Sequence, residues 1–358
     1  MDSWQWHAAC TAPQPSRPRA LTAQELAGSS PRQRREYGGQ VHRYLRRVAV
    51  SSPVHDQVTQ DLAQSWGFVQ SEPLGARTVL ALTAPFSAGK STVARAFAAR
   101  LHRDVISAAG ATQQMPSHVV DGDVEADLVP VVYLNLQSDT ASKDLYAQVL
   151  AFLGHGTGAT RGVLASQAAA ALRTHGVRLL VVDDAHMLRT HLKQGRATLD
   201  ALKHLGTEIG ELDGCLVLVG AFSADSDLLN DPQIRGRLQL HSFAPYGSAD
   251  DADRRAWQQL LKNWESALAG YLPEIHAGDL ARRWAGLLHL RTQGYVGDVA
   301  SCLSHATELA LACGRSALSQ DDLERARVSQ RAADGEALQR SNARPARRSS
   351  QAGRTRVS

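Results

Sequence analysis

The 358-residue sequence is poor in aromatic residues, at 5%, and carries four cysteines. Cys10, Cys215, Cys302 and Cys313 show neither metal-ligand spacing nor the dense pairing of a disulfide-stapled domain, so reduced thiols in a cytoplasmic protein are expected. No apolar run approaches the roughly 18 residues of a membrane span. The longest candidates, Leu179 to Val182 and Cys215 to Val219, are strand-sized, so no membrane partner is expected. The first twenty residues place prolines and polar side chains where a signal peptide carries its apolar stretch, which argues against export. Charge of one sign is also scarce: a formal net charge of +4 and a pI near 9.0 give only a slight bias toward an anionic partner. No repeat of fixed period occurs.

What is present is an Ala- and Leu-rich globular composition, 43% hydrophobic and 21% charged, long enough for about two domains with extensions. Residues 1–30 are rich in Pro, Ser and Ala without periodicity and are expected to form a disordered leader. Residues 31–75 are expected to form a basic helical extension. Arg32, Arg34, Arg35, Arg43, Arg46 and Arg47 lie there among Tyr37, Tyr44 and Leu45, followed by a helix from Ser52 to Trp66. From 76 to 245, short apolar runs alternate with amphipathic stretches of helical length, the α/β rhythm. Strands are expected at Val79–Thr83, Val131–Leu136, Leu179–Val182, Cys215–Gly220 and Leu238–Phe243, and helices start near Lys90, Ser142, Arg161 and Arg196. Residues 246–330 read as a helical domain, and 331–358 as a disordered basic tail.

The sharpest motif is Ala84-Pro85-Phe86-Ser87-Ala88-Gly89-Lys90-Ser91, directly after a strand and directly before a helix. It fits GxxxxGK[ST] except that Ala84 replaces the first glycine; with Thr92 it forms the expected nucleotide-binding segment. The chemistry dictates the residue types. A tight loop turns backbone N–H groups toward phosphate oxygens, and the helix N-terminus adds its positive dipole end. Lys90 is expected to neutralise the β and γ phosphates of ATP, and Ser91 to place its hydroxyl on Mg2+. Ala84 matters only if its position needs positive φ. A second motif, Leu179-Leu180-Val181-Val182-Asp183-Asp184, delivers two carboxylates to the C-terminal edge of the sheet. Asp183 is the expected metal carboxylate, through water, and Asp184 the group that orients or deprotonates the attacking water. His186 reads as a packing or hydrogen-bonding residue, because no second ligand stands at metal spacing.

With both motifs placed, the chain from about Arg32 to Arg327 resembles the TniB and TnsC family of AAA+ ATPases, regulators of bacterial transposition. The resemblance runs in order through the basic Tyr-containing segment, the phosphate loop, VVDDAHML, DALKHLGTEIG, LVLVGAF and NDPQIRGRLQLHSFAPY. It ends in GYVGDVASCLSHATELALACGRSALSQDDLERA. It implies an α/β P-loop AAA+ core with a parallel sheet of strand order 5-1-4-3-2 and a C-terminal helical lid. It further implies ATP held between subunits of a homo-oligomeric ring or filament, double-stranded DNA along its inside, and recruitment of a DDE transposase. Arg237 is then the arginine finger acting on a neighbour's γ-phosphate, with Arg235 as the alternative. The loop after the second strand, Gln137 to Lys143, faces the pore in such rings, which makes Ser142 and Lys143 candidate DNA contacts, although a plain helix start capped by Thr140 explains them as well.

Three departures bear on activity. Ala84 replaces glycine, Asp184 replaces the usual glutamate, and Ala221 stands where a polar sensor commonly ends the fourth strand. Binding survives these changes more easily than fast hydrolysis, so a slow ATPase is expected. In the lid, Asp298 occupies the place of a sensing arginine, with Arg291 nearby as a substitute. Two rival readings of the same motifs are a helicase-loader or secretion-type AAA+ ATPase, and a nucleotide switch that scaffolds a complex without hydrolysis.

Overall fold

The computed structural model describes residues 1–110, 114–137, 140–188, 193–222 and 226–342. Its strands are β1 (Val79–Thr83), β2 (Ser117–Asp121), β3 (Val124–Asp127), β4 (Val131–Asn135), β5 (Leu179–Asp183), β6 (Cys215–Gly220) and β7 (Leu238–Ser242). The first helices are α1 (Ser3–Thr11), α2 (Ala23–Gly28), α3 (Pro31–Leu45), α4 (Pro53–Val69), α5 (Lys90–Ala108), α6 (Ser142–Phe152), α7 (Arg161–Thr174) and α8 (Lys193–Glu211). The remainder are α9 (Asp227–Asn230), α10 (Pro232–Arg235), α11 (Asp251–Leu268), α12 (Ala285–Thr292), α13 (Val296–Ala312), α14 (Gln320–Arg325) and α15 (Gln330–Asn342). These elements form two compact units, Met1–Ser16 with Ser51–Pro245, and Arg17–Val50 with Tyr246–Ser358.

The first unit is built on a five-stranded sheet ordered β4-β5-β6-β1-β7, with every neighbouring pair parallel. Numbering those five strands in chain order and reading from the β7 edge gives 5-1-4-3-2, as the resemblance implies. The inner strands are apolar on both faces because helices cover both. Leu179, Leu180, Val181 and Val182 of β5 are all 0% exposed, each burial being worth about 2 kcal/mol. Register aligns the C-terminal ends: Asn135 pairs with Asp183, and Thr83 with Gly220. That alignment gathers the loops after β1, β4, β5 and β6 along one edge, where open α/β sheets hold ligands. The antiparallel β2–β3 hairpin, inserted between α5 and β4, has exposed valines at Val119 and Val124 and gave no clear strand signal in sequence.

The second unit is helical. α3 lies along α13, and Gly38 permits the approach, since a Cβ there would stand 3.0 Å from the Glu308 carbonyl oxygen. His42 Nδ1 lies 3.2 Å from the Glu308 carboxylate. A π-helical turn, Asp279–Arg283, forms because the carboxylate of buried Glu265 accepts the backbone N–H groups of Gly278, Leu280 and Ala281.

Several expectations need correction. The segment 1–30 carries helices: Trp6 of α1 is 3% exposed and stacks on Tyr133, a single aromatic anchor that leaves no periodic trace in sequence. The segment 31–75 is not one extension, since α3 belongs to the helical unit and α4 to the sheet unit. The tail begins with α15, where Arg331 pairs with Asp298 and covers the Tyr295 ring, and Ala332 is buried; the arginines from Arg344 onward lie outside the described residues. Arg291 is committed to structure, its guanidinium donating to the carbonyls of Leu323 and Ala326 and pairing with Glu336, so it does not replace a sensing arginine.

One buried contact carries a pH signature. His7 Nδ1 and His102 Nε2 lie 3.0 Å apart where α1 meets α5. Burial first, then the neighbouring His7 and Arg103, pushes His102 down to about 4 from 6.5. Above pH 6.5 neither the folded nor the unfolded chain protonates this ring. Between pH 6.5 and about 4 only the unfolded chain does, so folded stability falls with pH across that window, by roughly 2 kcal/mol at pH 5. Thermal melts of His102→Gln between pH 7 and pH 5 are expected to show a shallower loss of melting temperature than the parent protein.

Candidate nucleotide-binding site

The loop between β1 and α5 folds as the motif predicts, but its unusual backbone falls elsewhere than at its first residue. Ala84 is 6% exposed and is absent from the positive-φ positions, so alanine fits there without strain. Ser87 instead takes φ 64°, and Gly89 takes φ 102° as N-cap of α5. Ala88 N–H donates to the Pro85 carbonyl at 3.2 Å, closing the turn. Lys90, 8% exposed, donates from Nζ to the same carbonyl at 3.0 Å and lies 5.4 Å from the ring centre of Phe86, itself 65% exposed. Ser91 is half-buried, its hydroxyl without a partner among the described residues, and Thr92 is exposed.

One supporting residue escaped the sequence reading. His55 of α4 donates from Nε2 to the Ala88 carbonyl at 3.0 Å, and its ring meets Phe243 edge-on. Burial lowers its pKa, against the opposing effect of the bond to the Ala88 carbonyl. A Cβ on Gly89 would stand 2.8 Å from His55 Cε1, so this position needs glycine for both its φ and the ring beside it. No sequence signal marks a histidine 33 residues before its partner.

Asp183 ends β5 at 1% exposure. Its Oδ1 accepts the Asp184 N–H at 2.9 Å and its Oδ2 accepts the Tyr133 hydroxyl at 2.6 Å. Each oxygen keeps a further lone pair, and with the Ser91 hydroxyl this all-oxygen donor set suits a hard divalent cation such as Mg2+. Asp184 adopts φ 56°, which turns its carboxylate out to 48% exposure, 4.0 Å from His186 Nδ1. The two motifs converge electrostatically. Burial lowers the Lys90 pKa, while the charges of Asp183 and Asp184 raise it. Burial likewise lowers His186, which feels Asp184, Lys90 and Asp183 and packs edge-on against Phe86.

The remaining candidates lie apart. Val79 N–H donates to the Arg237 carbonyl at 2.8 Å, which puts Arg237 at the N-terminal end of β1, the opposite sheet edge from Lys90. Its Nε donates to the Gln233 carbonyl, and Arg235 is exposed without a side-chain partner among the described residues. Their platform joins two of the quoted stretches: Lys203 of DALKHLG pairs with Asp231 at 3.0 Å, and Asp231 caps α10 through the N–H groups of Gln233 and Ile234. Burial opposes ionisation of Asp231, but these bonds outweigh it and its pKa is lowered. Lys143 is exposed whereas Ser142 is buried at 6%, which removes that hydroxyl from DNA; Ser138 and Asp139 lie outside the described residues. The α6 N-cap is Ala141, whose N–H donates to the Asp144 carboxylate, while the Thr140 hydroxyl accepts the Gln137 N–H just before it. Ala221 offers no polar side chain, and the nearby Phe222 N–H is taken by the Thr83 hydroxyl.

A parallel sheet of order 5-1-4-3-2, a lysine loop after β1, acids after β5 and a helical unit following the sheet define the AAA+ class of P-loop proteins. The family described as Bacterial TniB protein matches residues 69–248, half of the sequence, and the chain belongs to it. In fold it is similar to the ORC2 protein of Aeropyrum pernix, solved as ADPNP–ADP complexes (14% identity, TM-score 0.52), and to Cdc6p of Pyrobaculum aerophilum (20%, TM-score 0.53). The matches take in 78% and 77% of this chain but 66% of each of those, a little under two thirds of their length. No curated protein matches the chain significantly. Among the described residues no helix is long and apolar enough to cross a membrane.

Because Gly89 combines positive φ with a close ring, Gly89→Ala is expected to destabilise the sheet unit by about 1–3 kcal/mol, read as a lower denaturant midpoint. His55→Ala in the same background should recover part of the loss by clearing the clash, leaving only the backbone strain.

Proposed function

We propose that this chain is an ATP- and Mg2+-dependent AAA+ regulator of transposition that assembles as a homo-oligomer on double-stranded DNA, hydrolyses ATP slowly and recruits a DDE transposase. The observation that carries this reading is that the Lys90 loop after β1 and the two aspartates after β5 lie along one C-terminal sheet edge, where Phe86 of the loop packs on His186 beyond the aspartates, in a chain of the TniB family. The residues from Ala84 to Thr92 wrap the phosphates. Their oxygens compete with the Pro85 carbonyl for the Lys90 ammonium, so nucleotide binding releases the lysine from its own loop. Asp183 and Ser91 would hold Mg2+, which supplies positive charge to the phosphate oxygens. Asp184 orients the attacking water.

Three features favour slow turnover and hence a switch. The Asp184 carboxylate is one methylene shorter than glutamate, it is half-exposed, and Ala221 gives the water no second contact. The position of Arg237 favours action in trans. Five residues of β1, about 15 Å of strand, separate its end of the sheet from the phosphate loop, too far for its own ATP. Arg235, exposed on the same platform, is the alternative finger. Lys143 is the remaining DNA-contact candidate, its charge positioning without reading sequence. A helicase-loader or secretion-type ATPase shares the site; a non-hydrolysing scaffold would bind ATP without turnover.

Lys90→Ala is expected to lose ATP binding by a hundredfold or more and to abolish ATP-dependent assembly on duplex DNA, imaged by electron microscopy with a slowly hydrolysed analogue. Wild-type assembly by that variant sinks the switch reading. Arg237→Ala should bind ATP normally but turn it over at least tenfold more slowly. Mixing it with Asp184→Asn, which keeps Lys90 and so binds ATP and assembles, should restore part of the rate, because each supplies what the other lacks across an interface; a mixture no faster than its parts refutes action in trans.

A further inference from the structure

Asp183 depends on a residue that belongs to neither motif. We propose that Tyr133 is the positioning residue for the metal-binding carboxylate, and that helix α1 clamps it through Trp6. This inference rests on the nucleotide reading of the site and deepens it.

A carboxylate that shares a cation must keep its free lone pairs aimed in one direction, yet rotation about its terminal torsion is soft. Here both oxygens are pinned. Oδ1 takes the Asp184 N–H, a bond that any residue at 184 other than proline would make. Oδ2 takes the Tyr133 hydroxyl at 2.6 Å, a bond that only this side chain, reaching across from the neighbouring strand β4, supplies.

The ring is held in turn. Trp6 stacks on it with centroids 5.3 Å apart and planes at 20°, and the Arg95 guanidinium lies 5.4 Å from its centre. Arg95 stands one helical turn after Ser91 on α5, so the helix that presents the metal hydroxyl also braces the tyrosine behind the metal carboxylate. Trp6 comes from a helix outside the alternating strands and helices of the core, packed against α5. It is 3% exposed, as is Tyr133. A plain packing tyrosine would not need its hydroxyl directed at a buried charge.

The test is equilibrium binding of a fluorescent ATP analogue to the full chain, titrated with Mg2+ and repeated in chelator. Tyr133→Phe keeps the stacked ring and deletes only the hydroxyl. It is expected to raise the Mg2+ concentration at half-effect about tenfold, while metal-free binding, which depends on the loop and Lys90, stays within about twofold of wild type. Trp6→Leu keeps the hydroxyl and loosens the ring, and should shift the same midpoint about threefold. A purely structural role would move both arms together. An unchanged Mg2+ midpoint in Tyr133→Phe, or equal weakening with and without metal, overturns the positioning role while leaving nucleotide binding intact. If Tyr133→Phe does not fold, Trp6→Leu decides, and a wild-type midpoint there overturns the clamp. A wild-type chain with no Mg2+-dependent binding overturns the site reading along with it.

Discussion

A carboxylate kept at 1% exposure at the end of a fully buried strand is the constraint around which the sheet unit is organised. Such a charge is tolerated only when its lone pairs are satisfied, since removing a partner from a buried charged group costs several kcal/mol. Tyr133 from one side and the Asp184 amide from the other meet that demand. The second charge of the site is under the opposite pressure: burial disfavours the Lys90 ammonium, and the two aspartates oppose that. Fold and site are therefore one problem. β5 must be apolar to lie mid-sheet, and it must end in an acid that its neighbours have prepared to receive.

The surroundings of the loop show how a departure from a motif is absorbed. A glycine is expected where a backbone needs freedom, but Ala84 sits in an ordinary conformation and the positive φ values fall at Ser87 and Gly89. The αL conformation of Asp184 has a different consequence, leaving its carboxylate half-exposed beside His186. Two adjacent aspartates thus acquire distinct environments, one enclosed and hydrogen-bonded, the other half-exposed. A long-range brace, His55 against the Ala88 carbonyl, fixes the loop from a helix that precedes the sheet.

Much of this was legible because buried parallel strands have a short, strongly apolar signature. All five sheet strands were placed within a residue of their observed limits, and the helices expected near Lys90, Ser142 and Arg161 start at those residues, while the one expected near Arg196 begins three residues earlier, at Lys193. The misses share a cause. α1 is held by Trp6 on Tyr133 and by the His7–His102 pair, and α15 by Arg331 on Tyr295 and Asp298. These are single anchors to distant residues, and a stripe of apolar residues at fixed spacing is not needed when one aromatic or one guanidinium does the holding. The α3 helix was recognised as basic, but its membership in the helical unit depends on Gly38 meeting Glu308, a contact across 270 residues.

By itself the sequence determined the local chemistry: a lysine loop between strand and helix, paired acids after an apolar strand, and the stretches that mark the TniB family. These are properties of short segments, written in residue type and spacing. Tertiary structure alone decided which charges face one another, that Arg237 stands at the far edge of the sheet, that Ser142 is enclosed, and that a tyrosine and a tryptophan stand behind Asp183. The physical reason is that burial and hydrogen-bond partnership are set by strand order and register, which bring together residues that no local pattern relates.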